Sequence, residues 1–232
     1  MPAFAAVSAT PDPMIPDPTI PKRFTVMGGT LPVGKVSPHM AGLHSALFGL
    51  VPRRERLAAA AKGVVLELGG GLNVPYYRDV ERVVVAEPDV ARHPALLDGV
   101  AAAAVAVEVH ESDIEGSEFR AASFDTVVCS FALCAVPDPP ATLRVIARLL
   151  APHGRLLFLE HVRSGGVRGT MQQVASHMWQ RMFDGCHPDR DTVGSIRDAG
   201  FLVTDLDRFS IRLAAPVVRP AVHGVAKAAV AA

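Results

Sequence analysis

The sequence of 232 residues carries no excess of charge of either sign, since 23 Lys and Arg residues balance 23 Asp and Glu residues. Proteins that bind nucleic acid usually carry surplus Lys and Arg, which displace the counterions around phosphates. The balance therefore argues against a nucleic-acid partner. Half of the residues are hydrophobic, which argues against a disordered, charged tail.

Cysteine is scarce. The chain has three cysteines, Cys129, Cys134 and Cys186, and no CxxC pair. An odd number without paired spacing fits neither a disulfide framework nor a four-ligand zinc site. We therefore expect no metal ion and a reducing, cytoplasmic location.

Long hydrophobic runs are also missing. The longest stretch without Asp, Glu, Lys or Arg runs from Val36 to Pro52 and contains Pro38, His39 and Gly42. A membrane-spanning helix needs about 20 mostly apolar residues, so this stretch is a poor candidate. No basic region followed by an apolar core opens the chain, and a secretory signal is not expected.

The chain divides into a leader and one domain. Residues 1–25 are rich in proline and lack apolar periodicity, and we interpret them as a flexible leader. Residues 26–232 have a length that suits one α/β domain. At its start, Ser37-Pro38 and spaced apolar residues up to Pro52 predict one helix. Residues 53–62 predict a second helix that stops at Gly63.

Short apolar, β-branched runs then alternate with helical stretches. Pro140 to Leu150 has the spacing of an amphipathic helix, and 167–183 predicts another. Buried parallel strands form nearly continuous apolar runs because helices cover both faces of the sheet. The pattern predicts a doubly wound, mostly parallel α/β sheet with helices on both faces. The predicted strands are 64–68, 83–87, 105–109, 124–130, 156–162 and 201–209.

The first of these strands leads directly into glycines, in the sequence VVLELGGGLN. Gly69, Gly70 and Gly71 let the backbone turn sharply and pass close to a ligand, which a Cβ would obstruct. Glu87 ends the second strand, 20 residues after Glu67, where a carboxylate can accept hydrogen bonds from two ribose hydroxyls. The combination predicts a nucleoside cofactor, although the GxGxxG fingerprint of dinucleotide-binding proteins is absent.

The motifs ELGGGLN, AEPD, HESDIE, SFDTVVCSFALCAV and LLAPHGRLLFLEHV follow one another in the sequence. In this order the chain resembles the class I S-adenosylmethionine-dependent methyltransferases over residues 60–165. The resemblance implies a Rossmann-like methyltransferase sheet, S-adenosylmethionine as the cofactor and a small-molecule substrate. The implied cofactor-binding residues are Glu67, Gly69, Gly70, Gly71, Asn73, Glu87, Pro88, Asp113, Ile114 and Ser130.

The glycine loop departs from the usual G-x-G-x-G of that family. Either Asn73 occupies the third glycine position, or the loop is two residues shorter than in close relatives. Asn tolerates a left-handed backbone, which would preserve the loop in the first case. The second case predicts a tighter cofactor pocket. It also leaves the alternative of a degenerate domain that binds the cofactor poorly or without turnover.

A narrower resemblance extends towards the C-terminus. The segments SFALCAVPD, FLEHVR and MWQRMFDGCHPDRDTVGSIRDAGF resemble a subgroup with animal thiol S-methyltransferases and bacterial members of unassigned substrate. The resemblance implies methyl transfer to a small apolar acceptor, preferably a thiol sulfur. One alternative is C- or O-methylation of a quinone or polyketide-like ring. Another is arsenite, a thiophilic substrate for which the three cysteines would be ligands.

Ligands of open α/β sheets lie beyond the carboxyl ends of the strands, which places the acceptor near residues 130–134 and 160–163. His161 is the first candidate for a general base because an imidazole titrates near neutral pH. His187 and Asp184 are the reserve candidates. A thiol acceptor needs little base strength, since thiol pKa values lie near 8.5. The expected pocket residues are Phe131, Cys134, Trp179 and Cys186.

A cap over the acceptor is expected at about residues 165–190. Trp179 would contact the substrate there, although a single tryptophan among apolar residues is also a normal core residue. Met171, Met178 and Met182 would either fill gaps or line a permissive pocket. The sequence leaves the oligomeric state open.

Overall fold

The computed structural model describes residues 25–27, 45–183 and 185–228. These residues form one sheet of eight strands with helices packed on it. The strands are β1 (Thr25–Met27), β2 (Val64–Leu68), β3 (Arg82–Ala86), β4 (Ala106–His110), β5 (Phe124–Ser130), β6 (Leu150–His161), β7 (Phe201–Ser210) and β8 (Pro220–Ala228). The helices are α1 (Val51–Ala60), α2 (Pro94–Ala101), α3 (Pro139–Leu149), α4 (Gly166–Met182) and α5 (Thr192–Asp198), with short 3₁₀ turns at Val74–Tyr76 and Val90–Arg92.

The strand order across the sheet is β1-β4-β3-β2-β5-β6-β8-β7. The first six positions are mutually parallel, and β8 pairs antiparallel with both β6 and β7. The chain moves outward from β2 to β4 on one side, then returns to the centre and continues with β5 and β6 on the other. This reversal between β2 and β5 is the arrangement of a doubly wound sheet.

Alternate residues of the central strands enter two separate cores, because side chains point to opposite faces of a strand. Leu66 and Val84 pack on the face that carries α3 and α5, whereas Val65 and Val83 pack on the face that carries α1 and α2. The continuous apolar runs of the central strands therefore have helices on both sides. The predicted fold class is confirmed.

Helix and strand boundaries agree with the prediction to within one or two residues for most elements. The exception near the start is Pro52, which was expected to end a helix and instead lies in the first turn of α1. The first helical turn leaves its N–H groups unpaired, so proline fits there. Residues 45–47 are helical, but a turn follows at 48–49, where Gly49 has φ +67°, so the single helix expected up to Pro52 is interrupted there. Residues 37–44 lie outside the described residues, as do residues 1–24 of the leader.

Strand β6 is longer than predicted. The strand was expected over 156–162, but it begins at Leu150, which is in register with Phe124 of β5. The bulge between Phe124 and Thr126 accommodates the extra residues.

Strand β8 was not predicted from the sequence. It contains proline, glycine and several alanines, all of which are poor strand formers. Its place is decided by packing: a Cβ on Gly224 would lie 2.4 Å from Cζ of Phe158 and 2.6 Å from the carbonyl oxygen of Asp205. Only glycine lets the backbone of β8 approach its two neighbours so closely.

In the described part of the chain, no helix combines the length and the apolarity needed to cross a bilayer.

His223 on β8 is a buried polar residue whose two ring nitrogens have no hydrogen-bond partner among the described residues. Burial lowers the pKa of His223, and Arg56 and Arg53 lower it further, against the opposite effects of Asp205 and Asp207. The unfolded chain takes up a proton near pH 6.5. Because the folded protein takes up this proton only at a lower pH, protonation of the unfolded chain lowers the free energy of unfolding as the pH falls below about 6.5.

We expect His223→Leu to raise the free energy of unfolding by about 1 kcal/mol at pH 7.5, because an unpaired buried group is removed, and by more at pH 5.5. Urea denaturation at the two pH values measures both quantities. His177→Leu is the control, since His177 is exposed on α4. An equal gain at the two pH values would show that His223 does not titrate between them.

Candidate functional site

The parallel strands β2 to β6 all end at the same edge of the sheet. The glycines follow β2, Glu87 follows β3, Asp113 lies beyond β4, and Phe131 and His161 lie at the ends of β5 and β6. The chain reverses between β2 and β5 at this edge, and such a reversal is the usual ligand position in doubly wound sheets. The expected site residues are thus brought to one place.

The glycine loop has two positions with a left-handed backbone, Gly69 (φ +95°) and Gly71 (φ +64°). At Gly71 a Cβ would lie 2.1 Å from Cδ1 of the buried Leu96, so this glycine is required for packing. At Gly69 a Cβ would lie no closer than 3.9 Å to Ala132 and 4.0 Å to the carbonyl oxygen of Ser130. A Cβ there would thus make only ordinary van der Waals contacts with the protein, and we call this space between the ends of β2 and β5 the cradle.

Glu67 supports this loop from the core. Its carboxylate accepts hydrogen bonds at 3.1 Å from both the backbone N–H and the side-chain amide of Asn73, and at 2.8 Å from the hydroxyl of Tyr77. Burial raises the pKa of the Glu67 carboxyl, against the effect of these donors and of Arg54. The residue expected to contact a cofactor thus fixes the shape of the loop.

Asn73 does not have the left-handed backbone that would replace a third glycine. Its dihedral angles, φ −94° and ψ −14°, are right-handed helical, so that expectation is wrong. The side chain is fully buried and binds Glu67 and Arg54. Asn73 is held by this polar network and not by a glycine-like conformation.

Arg54 is the member of the network that the sequence did not reveal. It lies on α1 with 1% of its surface exposed, and it donates from Nη1 to Asn73 and Ser130 at 2.9 Å each and from Nε to Ser45 at 3.1 Å. Burial lowers the pKa of Arg54, while Glu67 raises it. In the sequence it stands between Arg53, which is partly buried, and Arg56, which is exposed, and no local signal distinguishes it.

On the neighbouring strands, Glu87 is buried, and Oε1 accepts a hydrogen bond of 2.9 Å from the backbone N–H of Asp89. Oε2 lies 3.6 Å from Nε2 of His93. Pro88 is exposed beside it. Beyond β4, Asp113 is exposed and caps a turn through a 2.6 Å bond to the N–H of Gly116. The next residue, Ile114, is buried in the core cluster.

The loop after β5 is held by Glu160, a fully buried carboxylate. It accepts hydrogen bonds from the backbone N–H groups of Ala132, Leu133 and Cys134 at 2.9–3.1 Å. Burial raises the pKa of Glu160 to about 7, against these donors. Glu160 is a charged residue inside an apolar strand, and that contrast is the sequence signal for its role.

Cys134, His161 and Cys186 come together in space. The Sγ atoms of Cys134 and Cys186 are 3.8 Å apart, and Nδ1 of His161 lies 3.5 Å from the first and 3.4 Å from the second. The ring of His161 also packs on that of Phe131, with centroids 4.6 Å apart. The hydrogen bond between the two thiols lowers the pKa of Cys186, and His161 lowers it further. The same hydrogen bond raises the pKa of Cys134.

Trp179 reaches this cluster from α4, where it is partly exposed and helps to lower the pKa of Cys186. It also stacks on Phe183, with ring centroids 4.0 Å apart, and packs against a small core that contains Leu50 and Ile211. Trp179 therefore combines packing with a place beside the cluster. The methionines of α4 do not line the site: Met171, Met178 and Met182 are 56%, 63% and 64% exposed.

The remaining candidates lie in different places. His187 is partly exposed, and its backbone N–H donates to the carbonyl of Cys134 at 2.7 Å. Burial lowers the pKa of His187, with Arg190 acting in the same direction. Cys129 is buried in the core of the sheet, away from the other two cysteines. Asp184 lies outside the described residues.

Comparison with known proteins gives one family and several relatives. A family profile described as "Methyltransferase domain" matches residues 44–204. The human thiol S-methyltransferase TMT1A is 34% identical over 106 residues, which cover 45% of this chain and 43% of that protein. The human thiol S-methyltransferase TMT1B is 31% identical over 157 residues, 65% of this chain and 64% of that protein. The matched region thus spans less than two thirds of either relative.

Among solved structures, the trans-methyltransferase CalH in complex with SAH is similar to this chain. The TM-score is 0.54 and the sequence identity 20%, over 77% of this chain and 55% of that one. At this identity the likeness concerns the fold alone.

Proposed function

The chain belongs to the family of methyltransferase domains, and from that premise we propose that it transfers a methyl group from S-adenosylmethionine to a small apolar acceptor, with a thiol sulfur preferred. The observation that carries the proposal is the cradle at Gly69, with Glu87 directly after the adjacent strand. The names of the two human relatives support the choice of a thiol.

The residues at the cradle fit the cofactor. A Cβ at Gly69 would meet no protein atom closer than 3.9 Å, and the lack of a side chain here suits the close approach of a ligand to the backbone. The carboxylate of Glu87 suits two ribose hydroxyls, and buried Ile114 and exposed Asp113 suit the face and the amine of an adenine ring. When bound, S-adenosylmethionine supplies an electrophilic methyl group on a positively charged sulfur.

The acceptor side is formed by Phe131, Cys134, His161, Trp179 and Cys186. Ala132 borders the cradle, and Cys134 lies two residues further along the same loop, so the two halves of the site adjoin. Aromatic and thiol side chains favour an apolar, sulfur-containing acceptor over a polyanion. Alignment of the reacting atoms can contribute up to about 7–11 kcal/mol of the barrier.

A direct test combines binding and turnover. Calorimetric titration with S-adenosylmethionine should give one saturable site. Incubation with labelled cofactor and a matched panel of thiols, phenols and quinols should transfer the label to thiols. If the label were found on the phenols or quinols, the acceptor would be a ring compound and not a thiol. Absence of binding at millimolar cofactor would refute the enzymatic proposal and favour a domain without turnover.

We expect Glu87→Gln to weaken cofactor binding roughly 10- to 100-fold, because hydrogen bonds to a charged group are worth about 1.5–3 kcal/mol. Glutamine retains an acceptor for the N–H of Asp89, so the loop should keep its shape. Glu111→Gln is the control, since Glu111 is an exposed acid at the same edge. Calorimetry measures the affinity of both variants for S-adenosylmethionine. Equal affinities would show that Glu87 does not contact the cofactor.

A further inference from the structure

The cluster of Cys134, His161 and Cys186 has three soft ligand atoms that converge on one point. The two sulfurs and Nδ1 of His161 all lie within 4.8 Å of one another. The three residues come from distant parts of the chain: the loop after β5, the end of β6 and the segment after α4. Since no sequence spacing joins them, the pattern that predicts a metal site was missing from the sequence.

The distances in the cluster match those of a tetrahedral zinc site. With Zn–S of about 2.3 Å and Zn–N of about 2.0–2.1 Å, tetrahedral angles place two sulfurs about 3.8 Å apart and a sulfur and a nitrogen about 3.5–3.6 Å apart. The observed separations are 3.8 Å for the sulfurs and 3.4 and 3.5 Å for sulfur and nitrogen. One ion thus fits at bonding distance from all three atoms.

We propose that Cys134, His161 and Cys186 bind one Zn²⁺ ion, whose fourth coordination position receives the thiol of the methyl acceptor. Three protein ligands and one open position are typical of catalytic zinc sites, whereas structural sites have four protein ligands. The part of this proposal that concerns the acceptor rests on the proposed function; the part that concerns the ion does not.

The ligands are held in place by the surrounding backbone. Glu160 fixes the N–H groups of the loop that carries Cys134, and Arg190 donates to the carbonyl oxygens of Leu133 and Val136 in that loop at 2.8 and 2.7 Å. The hydrogen bond from His187 to the carbonyl of Cys134 joins the loop to the segment of Cys186. Such surrounding contacts fix ligand orientation and raise metal affinity.

The site has an accessible side. Cys134 is 1% exposed and Cys186 9%, while His161 is partly exposed, so a small molecule would approach from the side of His161. Binding to zinc converts a thiol into its thiolate: a sulfur lone pair forms the Zn–S bond, the S–H bond breaks and the proton leaves to solvent. In this arrangement His161 is a ligand, and no general base is needed.

The ion is tested with Zn²⁺ alone. The reduced protein of 232 residues, freed of metal with a chelator, is titrated with Zn²⁺ against a chromophoric chelator. We expect one ion per chain with a dissociation constant below about 1 μM. Co²⁺ in place of Zn²⁺ should show thiolate-to-cobalt charge-transfer absorption and the intense visible bands of a tetrahedral ion.

Single substitutions assign the ligands. Cys134→Ala, Cys186→Ala and His161→Ala should each weaken Zn²⁺ binding at least 100-fold. Cys129→Ala should leave it unchanged, because Cys129 is buried in the core and serves as the matched cysteine control. Circular dichroism verifies that each variant is folded. Should a variant fail to fold, the Co²⁺ spectrum of the unmodified protein still decides the question, since octahedral bands without charge transfer would overturn the zinc site.

The fourth position is tested on the Co²⁺ protein with 2-mercaptoethanol and with ethylene glycol, which replaces the thiol by a hydroxyl. We expect the thiol, but not the diol, to shift the charge-transfer band and to add intensity to it. A protein that binds the metal but shows no shift with the thiol refutes the acceptor position. If the metal is bound and cofactor binding is absent, the zinc site stands while the methyltransferase proposal fails. Reduced protein that binds Zn²⁺ no better than Cys186→Ala overturns the inference.

Discussion

Replacement of Gly69 by alanine is expected to weaken the binding of S-adenosylmethionine by more than about 100-fold. The added methyl group would enter the cradle, where the nearest protein atoms are 3.9 Å away, and would occupy the space proposed for the cofactor. The methyl group would clash with no protein atom but would compete with the ligand, so the effect on binding should exceed the effect on folding. Calorimetric titration measures the affinity, and thermal or urea denaturation measures the stability.

Gly200→Ala is the matched control for this variant. Gly200 has φ +85°, close to the +95° of Gly69, and a Cβ there would meet no atom within 4 Å. Both substitutions force alanine into a left-handed conformation, which costs about 1–2 kcal/mol. We expect similar losses of stability and a loss of cofactor affinity only in Gly69→Ala. Equal affinities of the two variants would place the cofactor elsewhere.

Replacement of Arg54 by methionine is expected to lower the free energy of unfolding by about 3–5 kcal/mol, the usual cost of removing one partner from a buried charge network. The variant leaves Asn73 and Ser130 without their donor, and it removes the positive charge that offsets the buried carboxylate of Glu67. Because Asn73 shapes the glycine loop, cofactor affinity should fall as well. Urea denaturation gives the stability change.

Arg56→Met is the control on the same helix, since the side chain of Arg56 is 60% exposed. It should change the free energy of unfolding by no more than about 0.5 kcal/mol.

The loss of stability in Arg54→Met should grow as the pH rises. Without Arg54, the pKa of Glu67, which is already raised, rises further. A carboxyl with a raised pKa in the folded protein stabilises the fold at low pH, and this stabilisation is lost as the pH rises through the folded-state pKa. Adding Glu67→Gln should remove this pH dependence; if it persists, Glu67 is not its source.

The sequence predicted most of the central fold, because buried parallel strands have an unmistakable composition. The runs at 64–68 and 124–130 coincide with β2 and β5. It failed at β8, where alanine, glycine and proline give no strand signal. That strand exists because β6 and β7 offer pairing partners on both sides, which is a tertiary property.

The candidate site divides in the same way. The glycine turn and Glu87 were recognisable, since local backbone geometry and strand spacing determine them. Arg54 was not, because its burial depends on the packing of α1 over the ends of β2 and β5. The expectation that the chain has no metal site rested on cysteine spacing alone. Spacing carries no information on residues that approach from separate strands and loops.

The sequence by itself determined the alternation of strands and helices, the glycine loop and the residues at the strand ends, because these depend on short-range periodicity and on the conformational freedom of glycine. Only the tertiary structure decided that Asn73 serves a buried polar network, that Cys129 belongs to the core, and that Cys134, His161 and Cys186 form one cluster. The physical reason is distance along the chain. Contacts between residues tens of positions apart are determined by strand order and packing, and neither can be predicted from a short segment of the sequence.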